Sequence, residues 1–167
     1  EYSRVALSDY RGWEWTARAW LRIAGSESHA IRALNEALKY RPRLPALLVF
    51  RGTAYLQESM RFRRLLHQEK AAKSRALAID DFKHAREIDP MDAAAHRGLG
   101  EACHEAREGG LAIAHFTQAL SIEPKASATW IGRARSRLRE GDVEGALSDA
   151  DQAFLLGSPD PKLYVVR

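Results

Sequence analysis

The chain has 167 residues, with 26 Lys and Arg against 22 Asp and Glu, a formal net charge of +4 and one cysteine. A single cysteine excludes an internal disulfide and leans toward a reducing, cytoplasmic setting, and no apolar run approaches the ~20 residues of a membrane-spanning helix. With 46% hydrophobic but only 8% aromatic residues, and much Ala, Leu, Arg and Glu, the composition suits packed helices.

Residues 1–11 read as a linker or the end of a preceding helix, with Asp9 placed to cap the next one. A unit over 12–44 carries Trp15, Ala19, Gly25, Ala30, Ala37 and Pro42. Its second half, "AIRALNEALKYRP", places Ala30, Leu34 and Ala37 at i, i+4 and i+7, one face of an amphipathic helix. The same spacing returns as Ala78/Phe82/Ala85, Ala112/Phe116/Ala119 and Ala146/Ala150/Ala153, and each copy ends near a proline (Pro42, Pro90, Pro124, Pro159) that cannot continue a helix. Upstream of the last three copies lie "LVFRGTAY", "HRGLGEAC" and "WIGRARSR", whose Gly52, Gly100 and Ala134 let a neighbouring helix approach closely. These are first helices of hairpins, with turns expected at Gly109-Gly110 and Gly141-Asp142. The units fall at 12–44, 45–92, 93–126 and 127–160, and residues 161–167 read as the opening of a further helix. Both ends look cut, as in a piece of a longer protein.

A helical hairpin recurring about every 34 residues resembles the tetratricopeptide repeat family. The third unit carries the likeness best, through Leu99-Gly100, Ala112, Phe116, Ala119 and Pro124. The fourth departs from it at Arg133 and Ala150, where a Leu and an aromatic are usual, and the first is one residue short in its turn. The resemblance implies an all-α, right-handed solenoid forming one repeat domain over 12–160.

The second unit is about 14 residues longer than this spacing, with the insertion near 59–72. Continuing its first helix from Leu48, Gly52 and Tyr55 by threes and fours reaches Ser59, Phe62 and Leu66; stepping back from Phe82 and Ala78 reaches Ser74 and Ala71. The insertion therefore reads as two extra turns on each helix, meeting near His67-Gln68. Its other face is a basic spur of Arg61, Arg63, Arg64, Lys70, Lys73 and Arg75, with Glu69-Lys73 as an i, i+4 pair. Such a spur suits an acidic protein surface or phosphate groups; the lack of interleaved stacking aromatics argues against nucleic acid.

No catalytic set assembles. The "EACH" stretch gives Glu-x-x-His once, without the second helix that a di-iron site needs, and Cys103 falls at a buried helix position. "RGLGEAC" lies inside a helix without the Lys of a phosphate loop. No metal or cofactor is expected, and an enzyme would require a catalytic domain beyond this chain, with the repeats as its regulatory appendage. The resemblance implies instead a concave groove for a partner peptide, lined by Thr16 and Trp20, Val49 and Thr53, Arg97, Glu101 and Glu105, and Ile131, Arg135 and Arg139. The basic end favours an acidic or carboxylate-bearing segment. The Lys and Asn with which the family's chaperone adaptors clamp a C-terminal carboxylate are replaced by Thr16, Trp20 and Phe50. Two functions emerge as expectations: an interaction module binding a protein or peptide, or a scaffold segment that self-associates.

Overall fold

The computed structural model describes residues 10–23 and 25–157. The expected Asp9 cap, the stop at Pro159 and the further helix at 161–167 lie outside the described residues. Eight helices occupy the described chain: α1 (Tyr10–Leu21), α2 (Glu27–Tyr40), α3 (Pro45–Arg64), α4 (Gln68–Ile88), α5 (Ala93–Ala106), α6 (Gly109–Ile122), α7 (Ser127–Arg139) and α8 (Val143–Leu155). They group into two compact units, Glu1–Pro90 and Met91–Arg167. In the first unit α1 pairs with α2 and α3 with α4, while α3 also packs on α2 and α1; in the second, α5 pairs with α6 and α7 with α8, and α7 packs on α6 and α5. The fold is an all-α helical repeat, and each unit holds two stacked hairpins.

The four second-helix stripes form the core. All twelve of their residues, from Ala30 to Ala153, are at most 2% exposed. Opposite them the first helices are bare. A Cβ on Gly52 would lie 2.8 Å from the Phe82 ring, and Phe116 fills the space above two glycines, with would-be Cβ distances of 2.8 Å from Gly100 and 2.6 Å from Gly132. Side-chain carboxylates start two helices: Asp92 accepts from the Ala94 and Ala95 amides, and Asp142 from the Gly145 amide. Pro45 opens α3, where its missing N–H costs nothing.

Three sequence expectations are corrected. In α1 the buried small residue is Ala17, while Ala19 is exposed. Ala17 precedes Ala30 by one residue more than Gly100 precedes Ala112, so this hairpin is one residue long in its turn rather than short. The shifted register brings Trp20 to stack on His29 of α2 and leaves Trp15 75% exposed. The turn between α5 and α6 is Arg107-Glu108, with Arg107 left-handed at φ 65°, and Gly109 and Gly110 begin α6. Finally, the buried stripe of α3 runs through Ser59 and half-buried Phe62 but stops there, because Leu66 sits in the turn at φ 61° and points to solvent.

Polar clips tie the hairpins together, and they repeat. Arg51 of α3 makes a two-pronged bond to Asp81 of α4 (Nε–Oδ2 2.8 Å, Nη2–Oδ1 2.6 Å) and a third, through Nη1, to Asn35 of α2 at 2.8 Å. Arg133 of α7 does the same with Asp149 of α8 (2.9 and 2.8 Å) and Thr117 of α6 (3.1 Å). Arg137 adds a further contact to Asp149 at 3.0 Å. The hydrogen bonds to Asp81 raise the Arg51 pKa above its ordinary value despite burial, and burial pushes the Tyr55 phenol up. In each case one guanidinium bridges its own second helix and that of the preceding hairpin, a geometry suited to the planar fork of Arg.

Two outcomes are expected for stability. Gly132→Ala should destabilise by about 1–3 kcal/mol, because overpacking against Phe116 outweighs the gain in helix propensity, whereas Gly110→Ala, whose Cβ meets nothing within 4 Å, should be neutral or stabilising; thermal melts of both check the sign. Asp149→Ala strands two partly buried guanidinium groups and should cost about 3 kcal/mol in denaturant titration, while the double variant with Arg133→Leu regains most of it.

Candidate functional site

The face of α1 that carries Trp13, Thr16 and Trp20 at i, i+3 and i+7 borders an open hollow of about 400 Å³, completed by His29, Arg32 and Glu36 of α2. Trp20 lies flat on His29, with ring centroids 4.8 Å apart. Thr16 spends its hydroxyl on the Gly12 carbonyl at 2.8 Å. The Trp13 indole Nε1 is shielded from solvent and has no hydrogen-bond partner among the described residues. Counted from the buried small residue, Trp13, Thr16 and Trp20 match Leu48, Arg51 and Tyr55 around Gly52, and Trp130, Arg133 and Arg137 around Ala134. In those two helices this face is covered by the preceding hairpin: Arg51 reaches Asn35, Arg133 reaches Thr117, and the Trp130 indole donates to the Pro124 carbonyl at 2.8 Å. Trp13 presents the same donor with no acceptor among the described residues. Thr16 and Trp20, expected on a ligand groove, line this hollow on the face that in those two helices packs against a preceding hairpin, a consequence of the register at Ala17. Trp13 itself went unnoticed in the sequence, although its place three residues before Thr16 is the signal that finds it.

The remaining expected groove residues divide. Val49 and Ile131 are 8% and 5% exposed and belong to the core, Ile131 packing with Ala134, Ala146, Ala150 and Ala153, so neither lines an open surface. Thr53 is half-buried and donates to the Val49 carbonyl. In the second unit, Arg97 lies 3.9 Å from Glu101 at i, i+4, and Glu105 is half-buried on the same helix. Arg135 and Arg139 are exposed but converge on His104: Arg135 Nη2 lies 3.4 Å from its Nε2, and Arg139 Nη1 donates to its carbonyl. His104 is buried, with Nδ1 2.9 Å from the Ser136 hydroxyl, which in turn donates to the Gly132 carbonyl at 3.0 Å. A guanidinium can only donate, so this network suits a neutral imidazole that accepts at Nε2 and donates from Nδ1. The "EACH" histidine thus knits α5 to α7, which its spacing from Glu101 did not suggest.

The basic spur is also divided. Arg61 folds back to pair with Glu27 of α2 at 3.2 Å and lies over the Phe62 ring, and Arg75 is half-buried. Arg63, Arg64, Lys70 and Lys73 are exposed around the tip. The expected Glu69-Lys73 ion pair does not form among the described residues. Ser59 and Ser74 hold the extended hairpin together instead, donating to the Ala71 carbonyl and to Glu58 Oε2, each at 2.7 Å.

Cys103 is buried against Ala112 and Phe116. Among the described residues no group of three or more His, Cys, Asp or Glu is arranged to hold a metal ion, and no helix is long and apolar enough to cross a membrane.

No protein-family model matches the sequence, and neither does any curated protein. Solved structures do match. TTC0263, a thermophilic TPR protein in Thermus thermophilus, superposes with a TM-score of 0.82 at 23% identity over 94% of this chain and 78% of its own. A tetratricopeptide repeat protein from Parabacteroides merdae gives 0.73 at 21% identity, over 95% of this chain and 56% of its own. MamA gives 0.67 at 18% identity, over 93% and 84%. With paired helices, an Ala/aromatic stripe on each second helix and these structural likenesses, the chain has the tetratricopeptide repeat fold.

Proposed function

We propose that the chain is a non-catalytic protein-interaction module, and that the open face of α1 takes a helical segment of a protein partner. The observation that carries this reading is the open hollow of about 400 Å³ that Trp13, Thr16 and Trp20 of α1 form with His29, Arg32 and Glu36 of α2. The incoming segment would place an apolar side chain in the hollow beside Trp13, Trp20 and His29. Exposed Arg135 and Arg139 favour acidic residues elsewhere on the partner, though each exposed ion pair contributes only about 0–1 kcal/mol. A second reading, in which the occupant is another copy of this chain, draws on the exposed Trp15 on α1 and Leu155 on α8, 75% and 74% accessible.

Selection of helical peptides against the purified chain, followed by titration calorimetry, tests the proposal. Trp13→Ala and Trp20→Ala, each of which removes a wall of the hollow, should each weaken binding about tenfold or more. Arg135→Glu with Arg139→Glu should weaken capture of acidic segments and flatten the salt dependence. Binding indifferent to both tryptophan changes would place the site elsewhere. If light scattering instead shows a multimer that Trp15→Ala dissociates, the self-associating reading takes its place.

A further inference from the structure

The tip of the α3–α4 hairpin carries an apex that the repeat core does not use. Leu65 and Leu66 are adjacent, 56% and 82% exposed, at the point where the chain reverses. They are not there through looseness, because the turn is hydrogen-bonded: the Leu66 amide donates to the Arg63 carbonyl at 3.1 Å and the His67 amide to the Phe62 carbonyl at 2.9 Å. Leu66 is held at φ 61°, a region that non-glycine residues rarely occupy, with its apolar side chain in water. Around the leucines stands a ring of exposed cations, Arg64 at the end of α3 and Lys70 and Lys73 at the start of α4, with Glu69 an exposed carboxylate among them. Arg61 stands apart from this ring, engaged with Glu27. The N-terminus of α4 also opens onto the tip, and no side chain caps it.

We infer that this tip docks on an anionic lipid surface. The chemistry favours that occupant: exposed apolar side chains at the chain reversal, cations flanking them on both helices, and the uncapped start of α4 at the same end. An interfacial segment buries its apolar residues at the headgroup–acyl boundary while Lys and Arg meet lipid phosphates. An acidic protein would satisfy the cations but would give the two leucines no role. This contact is peripheral, and it uses residues remote in sequence from Trp13, Trp20, Arg135 and Arg139.

Co-sedimentation of the full 167-residue chain with vesicles tests it, using phosphatidylcholine alone and phosphatidylcholine mixed with phosphatidylserine. Partitioning should be strong only on the mixed vesicles and should fall as salt rises, with each cation worth about fivefold. Leu65→Ser with Leu66→Asn should lower partitioning about tenfold or more; Asn tolerates the left-handed turn, so the thermal melt should stay unchanged. Arg64→Glu with Lys70→Glu should abolish it, and the charge-matched Lys83→Glu with Lys125→Glu, at exposed lysines outside the tip, should leave it intact. Failure of the parent chain to bind mixed vesicles overturns the inference. So does a leucine variant that binds vesicles and poly-glutamate as the parent does, which would make the occupant an acidic protein.

Discussion

In this chain the distance between paired helices is set by what one residue on the first helix does not have. Phe82 and Phe116 each rest on glycine, at separations where a methyl group would collide with the ring. Where the second helix offers Ala150 instead of an aromatic, the first offers Ala134 instead of glycine, and the two belong to one buried cluster. Giving up the ring at Ala150 thus leaves room for the Ala134 methyl, and Trp130 packs against the same cluster. Close packing makes this exchange obligatory, since interiors tolerate neither a methyl-sized void nor an extra methyl without cost. Phe116 also covers Gly132 of the next hairpin, so the same ring sets the spacing within a hairpin and between hairpins of the second unit.

Close approach restricts what else can cross the seam. With the centre occupied by Ala, Gly and Phe, polar groups work at its edges, and the Arg51 and Arg133 clips show how. Each has an Asp three residues after the first stripe alanine and a polar residue one place after the stripe's middle position, Asn35 or Thr117. A partly buried ion pair is weak evidence for stability by itself, because desolvation offsets much of the attraction. Its value here is in register: a two-pronged bond is satisfied at one offset between helices, whereas a smooth Ala-rich stripe would permit sliding by a turn. The third bond passes that register to the next hairpin.

The same logic accounts for both candidate surfaces. At α1 the face that stacks in the other hairpins borders an open hollow against α2, and the Trp13 indole has no acceptor among the described residues, unlike its counterpart Trp130. At the α3–α4 tip the stripe has run out, and Leu65 and Leu66 lie beyond the reach of any neighbouring helix.

Periodicity alone determined the repeat fold, the four buried stripes, the close approach at Gly52, Gly100 and Ala134 and the helical extension of one hairpin, because burial in stacked helices acts on residues three and four apart and leaves that spacing in the sequence. It could not decide the register of α1, where Ala17 and Ala19 are equally small and only the stacking of Trp20 on His29 separates them. Nor could it show that Val49 and Ile131 are core, that Arg61 is held by Glu27, or that His104 faces Ser136 across 32 residues of chain. Those facts depend on which side chains meet across different helices. The arginine clips stand between the two cases: their residue types repeat visibly in Arg51/Asp81 and Arg133/Asp149, but that they touch is a property of tertiary packing, which brings together groups that no local period relates.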